Sequence, residues 1–78
     1  MIVRERAKVI EYLRKRNLVK PYLKAKKYLE KDQLKIVGFK IRQPKIEGVY
    51  YFRITKKYRA IGHFIHDIFV VASISDHQ

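Results

Sequence analysis

The sequence contains no cysteine and no tryptophan, and it has only two prolines and three glycines in 78 residues. Without cysteine, neither a disulfide nor a thiolate metal site can stabilise the fold. This absence agrees with a reducing cytoplasm, where we expect the protein. The longest apolar stretches, such as DIFVVASI, are too short to span a bilayer, and the N-terminus lacks the apolar core of a secretory signal. We therefore expect no membrane partner.

Acidic residues are also scarce: seven Asp and Glu stand against nineteen Lys and Arg, which leaves a net charge of +12. Such an imbalance predicts attraction to polyanions, chiefly nucleic acid. An acidic protein partner is compatible with the same charge. The alternative is a basic surface that is merely solvated. An anionic membrane is disfavoured because the basic helices lack the bulky apolar face of interfacial helices.

The length and the spacing of apolar residues predict one domain, residues 1–78, that begins with two helices. Apolar residues recur at helical intervals from Val3 to about Arg16 and again from Pro21 to about Lys31. Asn17 suits a helix end, and Pro21 suits the first turn of the next helix. We therefore expect an antiparallel helix pair with a short connection.

The second half of the chain is rich in β-forming residues. LKIVGFKIRQ alternates partly and could be an edge strand that Pro44 ends. VYYFRIT, YRAIGHFI and IFVVASIS then follow with very short connections, which indicates an antiparallel meander. The expected fold is α+β, with the helix pair packed on one face of an antiparallel sheet of three to four strands. The other face would be free to bind.

Each of two neighbouring strands carries one arginine, and side-chain alternation predicts where it points. Arg53 shares a face with Val49 and Tyr51, and Arg59 shares a face with Ile61 and His63. In the last run, four residues would be in phase: Val71, Ser73, Ser75 and His77. We expect the two arginines and His77 to meet on the open face.

These residues suit chemistry on phosphate. The arginine guanidinium donates two parallel hydrogen bonds to phosphate oxygens and stays positively charged at neutral pH. Metal-free RNA cleavage needs a base, an acid and cations for the developing phosphorane, so His77 could transfer protons while Arg53 and Arg59 neutralise charge. The predicted RNA-binding residues are Lys40, Arg42, Lys45, Lys56 and Lys57 for flanking phosphates, with Tyr51 or Tyr58 for base stacking.

Simpler interpretations remain for each of these residues. The two arginines could be solvated sheet residues, and a histidine one residue from the end, His77, is often frayed. We expect neither a metal nor another cofactor, because three histidines without clustered carboxylates do not make a ligand set.

The segments FRITKKYRAIG and SISDHQ, in this order behind a basic helix pair, resemble the RelE/ParE superfamily of toxins from type II toxin–antitoxin systems. The similarity spans residues 7–78 and is most specific over residues 48–77, where it is nearest to the YoeB/RelE branch of ribosome-dependent mRNA endonucleases. It implies that Arg59 stabilises the transition state, that Arg53 contacts phosphate or supports the site, and that His77 transfers a proton.

The resemblance also implies a product and two partners. The substrate would be mRNA on the ribosome, cleaved to leave a cyclic 2′,3′-phosphate, and an antitoxin would lay an acidic or amphipathic segment over the basic face. The general base is open: it is Glu47, a lysine, or missing. Gln78 stands where the YoeB-like branch has a tyrosine, and the usual N-terminal strand is reduced to residues 1–3 at most.

Two other functions remain open. One is a ParE-like poison of DNA gyrase that acts by binding, which the segment SISDHQ disfavours. The other is a catalytically decayed or plain basic RNA-binding domain.

Overall fold

The computed structural model describes residues 1–76 of the chain. The elements, in chain order, are β1 (Ile2–Glu5), α1 (Ala7–Lys15), α2 (Val19–Glu30), β2 (Lys40–Ile41), a short 3-10 turn (Lys45–Glu47), β3 (Val49–Arg53), β4 (Arg59–Ile65) and β5 (Ile68–Ser75).

The strands form one sheet in the spatial order β1-β5-β4-β3-β2. Strands β2 to β5 pair antiparallel, and β1 pairs parallel with β5. The two helices pack against this sheet, so the expected α+β fold and the meander of β3, β4 and β5 are confirmed. The sheet has five strands rather than three to four.

One core lies between the helices and the sheet. Its largest side chains are Tyr22 from α2, Phe52 from β3 and Phe69 from β5, each at most 1% exposed. Alternate residues of the strands contribute part of the rest, because successive side chains of a strand point to opposite faces, and the helices and their connecting segments contribute the others. The remaining buried hydrophobic residues are Val3, Val9, Leu13, Leu18, Ala25, Leu29, Val37, Ala60 and Val71.

The prediction of a helix from Val3 is wrong. Residues Ile2–Glu5 form a strand instead, and Val3 lies beside Phe69, with both side chains fully buried. Helix α1 begins only at Ala7. The spacing from Val3 to Ala7 fits a helix, but pairing with β5 buries Val3 completely, and periodicity within the segment cannot reveal a partner some 65 residues away.

The break between the helices lies where the sequence indicates. Asn17 adopts a left-handed conformation with φ 58°, which the short side chain of asparagine tolerates. Helix α2 then starts at Val19, so Pro21 falls in its first turn, where its missing N–H costs no helical hydrogen bond.

The predicted strand LKIVGFKIRQ is reduced to Lys40–Ile41. The preceding residues form turns that end at Gly38, whose φ is +61°. Val37 is buried, and its carbonyl accepts a hydrogen bond from the backbone N–H of Arg53 at 2.7 Å. The segment is therefore a loop that packs against the end of β3. The alternation favours a strand, but the loop conformation buries Val37.

The predicted phase of the last strand is also wrong in part. Ile61 pairs with Ser73, but Gly62 pairs with Val71, so Ala72 forms a bulge. A bulge inserts one residue and shifts the alternation. As a result, Val71 is fully buried under the helices, while Ser73 is exposed on the opposite face.

A polar network fastens α2 to β1. The hydroxyl of Tyr22 donates to Glu5 Oε1 at 2.6 Å, and Lys26 Nζ lies 3.0 Å from the same oxygen. Burial favours the neutral form of Glu5, but the hydrogen bonds from Tyr22 and Lys26 and the charge of Lys26 outweigh it, so the carboxyl pKa is lowered. Burial, followed by the Glu5 contact, raises the pKa of Tyr22 far above its usual range.

Among residues 1–76, no helix combines the length and the apolar composition needed to cross a membrane. The same part of the chain contains no group of three or more His, Asp or Glu side chains that could hold a metal ion.

Candidate functional site

The face of the sheet opposite the helices brings the two predicted arginines side by side. Arg53 at the end of β3 pairs directly with Arg59 at the start of β4, and Arg59 pairs with Ser75 of β5. Like charges directly opposite each other in a sheet are destabilising. Among residues 1–76, neither arginine has a carboxylate within ion-pair distance. This pair of arginines is therefore a candidate site for an anion.

The next row across the sheet adds an aromatic ring and another cation. Tyr51 pairs with Ile61 on one side and with Lys40 on the other. The guanidinium carbon of Arg59 lies 5.2 Å from the centroid of the Tyr51 ring, within the range of a cation–π contact. A flat aromatic side chain therefore lies beside the arginine pair.

Two adjoining grooves cover these rows. One, of about 310 Å³, is lined by Arg42, Tyr51, Arg59, Ile61 and Ser75. The other, of about 90 Å³, is lined by Gly38, Lys40, Tyr51, Arg53 and Arg59. They share Tyr51 and Arg59. Together the described linings hold four cations and no carboxylate, so the electrostatic potential of the combined groove is strongly positive.

Arg53 is held in place by the loop before β2. Its Nη2 donates to the carbonyl oxygen of Ile36 at 3.2 Å, and its backbone N–H bonds to Val37. The guanidinium has five N–H donors. Among residues 1–76, this is the side-chain hydrogen bond that Arg53 makes, and it fixes the orientation of the guanidinium.

Arg42 and Glu47 form a loose pair at the rim. Arg42 Nη2 lies 3.8 Å from Glu47 Oε1, and each side chain is about half exposed, at 49% and 52%. Exposed pairs of this kind contribute little to stability. Glu47, one of the predicted bases, does not line either groove, but this pairing keeps its carboxylate beside a groove cation.

The structure does not bring four other predicted RNA-binding residues into the grooves. Lys45 is exposed on the 3-10 turn, and Lys56 and Lys57 are exposed on the turn between β3 and β4. Lys57 Nζ lies 4.0 Å from Asp76. Tyr58 packs against the core on the helix side, with its ring edge-on to Tyr12, so it is not positioned to stack on a base at the grooves.

His77, the predicted proton-transfer residue, lies outside the described residues. Gly38, Ile61 and Ser75 also line the grooves, although no sequence motif indicates a binding role for them. The alternation of side chains along the strands predicts that Ile61 and Ser75 lie on the face opposite the helices. Nothing in the sequence pointed to Gly38, because its position depends on a loop that folds back against β3.

Comparison of the sequence with known protein families finds no match, and no curated protein matches it either.

Proposed function

We propose that this chain is a RelE/ParE-like toxin whose open sheet face binds mRNA on the ribosome and cleaves it without a metal. The observation that carries the proposal is the direct pairing of Arg53 with Arg59 between two cationic grooves. Two neighbouring guanidinium groups that have no carboxylate partner among residues 1–76 can donate paired hydrogen bonds to the oxygens of a phosphodiester. The order of elements, a helix pair followed by an antiparallel meander, supports the same proposal.

The grooves suit a single strand of RNA. Arg42 lines one groove and Lys40 lines the other, each together with Tyr51, and both can hold the phosphates that flank the reacting one. A base can stack on the Tyr51 ring, and such stacking is typical of single-strand binding. Arg59 then stabilises the charge that develops on the phosphorane, and this is the kind of interaction that lowers a reaction barrier most.

The proposal includes proton transfer by His77 and control by an antitoxin. The base remains Glu47 or a groove lysine, of which Lys40 is the one that lines the site. The charge of +12 favours an antitoxin that covers the basic face with an acidic or amphipathic segment. A cytoplasmic location follows from the ribosomal substrate.

One observation favours a second candidate, an RNA-binding domain that does not cleave. The described groove lining contains neither a histidine nor a carboxylate, which are the usual acid and base groups. Such a domain would still use the arginine pair, and it would hold RNA without breaking it.

A cell-free translation reaction given the purified chain tests the proposal, with mRNA ends mapped by primer extension. The wild-type chain should produce discrete cuts only in ribosome-bound message, and Arg59→Ala should abolish them. Arg14→Ala is the matched control, because it removes the same charge from an exposed position on α1 away from the grooves. That variant should cut normally.

Each result has a clear meaning. Intact mRNA with blocked translation favours the second candidate, which binds RNA without cleaving it. Intact mRNA with normal translation contradicts the proposed cleavage, and a gyrase supercoiling assay then tests the ParE-like alternative.

A further inference from the structure

Arg53 lines a second cavity besides the groove on the open face. This cleft has a volume of about 260 Å³ and lies between α2, the loop that precedes β2 and the end of β3. Of the described residues that line the cleft, Arg53 is the one that also lines a groove. A ligand of the cleft that contacts this side chain therefore acts on a residue of the proposed RNA site.

The guanidinium of Arg53 lies along the loop between the two cavities. Its Nη2 donates to the carbonyl oxygen of Ile36 at 3.2 Å, and Ile36 lines the cleft. Its Nη1 lies close to Gly38, where an added Cβ would be 3.6 Å away, and Gly38 lines the groove. One guanidinium group thus lies beside the walls of both cavities.

The walls of the cleft are largely apolar. Ala25 and Val37 are buried, and Ile54 packs against the core. Ile36 is 52% exposed, although it is a large hydrophobic residue. Because the removal of apolar surface from water stabilises a complex, these walls favour a ligand with an apolar ring.

Two cations line the same cleft. Lys24 is an exposed residue of α2, and Arg53 is the other. Within residues 1–76, neither side chain has a carboxylate at ion-pair distance, and no acidic residue lines the cleft. The hydroxyl of Tyr28 completes the polar side-chain groups of the lining. Such a set indicates an anionic ligand.

We propose that the cleft binds a small aromatic carboxylate, and that this ligand weakens RNA binding through Arg53. The ring packs against the apolar walls, and the carboxylate accepts charge-assisted hydrogen bonds from Lys24 and Arg53. A guanidinium that is engaged in the cleft is less available to a phosphate in the groove. Binding in the cleft is independent of the proposed function, whereas the effect on RNA rests on it.

Size and hydrogen bonding argue against larger occupants. The edges of nucleobases are polar and need partners when they are buried, whereas most of this lining is hydrocarbon. A protein partner needs a contact surface far larger than one small cleft. The volume lies just below the range of about 300–1,000 Å³ that is usual for drug-sized ligands, so it suits one ring with a carboxylate.

The first test is an NMR titration of the isotope-labelled full chain with phenylacetate. Backbone amides of Ala25, Tyr28, Ile36 and Val37 should shift, together with the side-chain N–H of Arg53. Phenylacetamide has the same shape without the charge, so it should bind at least about tenfold more weakly. Acetate, which lacks the ring, should cause no comparable shifts at the same concentration.

Two variants of α2 make the test specific. Lys24→Ala should weaken binding of phenylacetate at least about fivefold. Lys27→Ala removes the same charge from a position that is also exposed but does not line the cleft, so it should bind as well as wild type. Because both side chains are exposed, both variants should fold normally, which circular dichroism checks.

The second test measures the affinity for single-stranded RNA with and without phenylacetate. A saturating concentration should weaken RNA binding at least about threefold, and RNA should weaken phenylacetate binding by the same factor, because coupling between two sites is reciprocal. Acetate at the same concentration is the control for ionic strength. In Lys24→Ala, the same concentration of phenylacetate should have a smaller effect on RNA.

Three outcomes would overturn the proposal. Equal binding of phenylacetate and phenylacetamide would exclude recognition of the charge. Shifts confined to the residues around Tyr51 and Arg59 would mean that the probe acts only as an anion in the grooves. Binding in the cleft without any change in RNA affinity would exclude the coupling through Arg53. A chain that binds no RNA would contradict the proposed function instead, and the first test would still decide whether the cleft takes the carboxylate.

Discussion

The two faces of the sheet use the same strands for different purposes. On the face under the helices, Phe52, Ala60 and Phe69 are fully buried. On the other face, their immediate neighbours Arg53 and Arg59 lie beside each other with no carboxylate partner among residues 1–76. Neighbouring residues of one strand therefore have different roles: one packs in the core, and the next is a residue that we propose binds RNA.

This difference explains how so small a chain can carry a strongly charged surface. A domain of this size has little stability to spare, and the arginine pair lowers it further. Because the two side chains project away from the core, they destabilise the fold only through the repulsion between their charges, and the packing of the core is unaffected. Substitutions on the two faces should accordingly differ in what they change.

The largest loss of stability should follow Phe52→Ala on the covered face. The ring contacts Tyr22 and Phe69 and is fully buried. Emptying this site should lower the free energy of unfolding by about 3–5 kcal/mol, enough to unfold much of a marginal domain. Urea denaturation followed by circular dichroism measures the change. A loss below about 1 kcal/mol would mean that the site repacks and is not central to the core.

Gly62→Ala should come next. An added Cβ at this position would overlap the backbone carbonyl of Val70 and come within 2.9 Å of the Phe69 ring. Overpacking of this kind costs typically 1–3 kcal/mol, and a backbone neighbour cannot rotate away. Gly48→Ala is a useful comparison: its added Cβ meets nothing within 4 Å, and its strain comes only from φ +64°. Gly62→Ala should be the more destabilising of the two in thermal unfolding.

A smaller effect should follow Glu5→Gln, and it should depend on pH. The amide keeps an acceptor for Tyr22 but loses the charge that attracts Lys26, so we expect a loss of about 1 kcal/mol at neutral pH, the difference between a charged and a neutral hydrogen bond. Unfolding measured from pH 2 to 7 checks this prediction.

The sign of the pH dependence follows from the lowered pKa of Glu5. Its contribution is complete above the ordinary value of 4.5 that the unfolded chain has, and it is lost as the pH falls toward the lower folded value. Wild type should therefore lose stability more steeply than Glu5→Gln below about pH 4.5. Parallel curves for the two proteins would contradict the assignment.

The smallest change in stability should follow Arg59→Ala on the open face. Its free energy of unfolding should stay within about 0.5 kcal/mol of wild type. Affinity for single-stranded RNA should fall, and the slope of the binding constant against salt concentration on logarithmic axes should decrease by the amount expected for about one phosphate contact. Arg14→Ala on α1 should leave both unchanged. If the two variants lose the same affinity, RNA binds the chain without preference for the groove.

Local patterns in the sequence are sufficient to predict much of this arrangement. Alternation along VYYFRIT places Phe52 and Arg53 on opposite faces, and helical spacing identifies Leu13, Tyr22 and Leu29 as packing residues. These predictions hold because each depends on the period of one element. The short connections then bring β3 beside β4 and so place the arginines next to each other.

The features that sequence reasoning missed all depend on distant partners. Val3 belongs to a strand because Phe69 lies beside it, and Ala72 bulges where β5 passes Gly62. Tyr58 packs against Tyr12 on the helix side. The contact between Arg53 and the Ile36 carbonyl likewise requires a loop to fold back onto β3. No pattern within a single segment contains this information.

We expect RNA to bind the open sheet face rather than the helices, although residues 1–31 hold eleven of the nineteen Lys and Arg residues. An NMR titration of the labelled chain with single-stranded RNA of about ten nucleotides tests it most directly. We predict shifts at Lys40, Tyr51, Arg53, Arg59 and Ser75, with α1 and α2 nearly unchanged. Shifts concentrated on the two helices would contradict the claim.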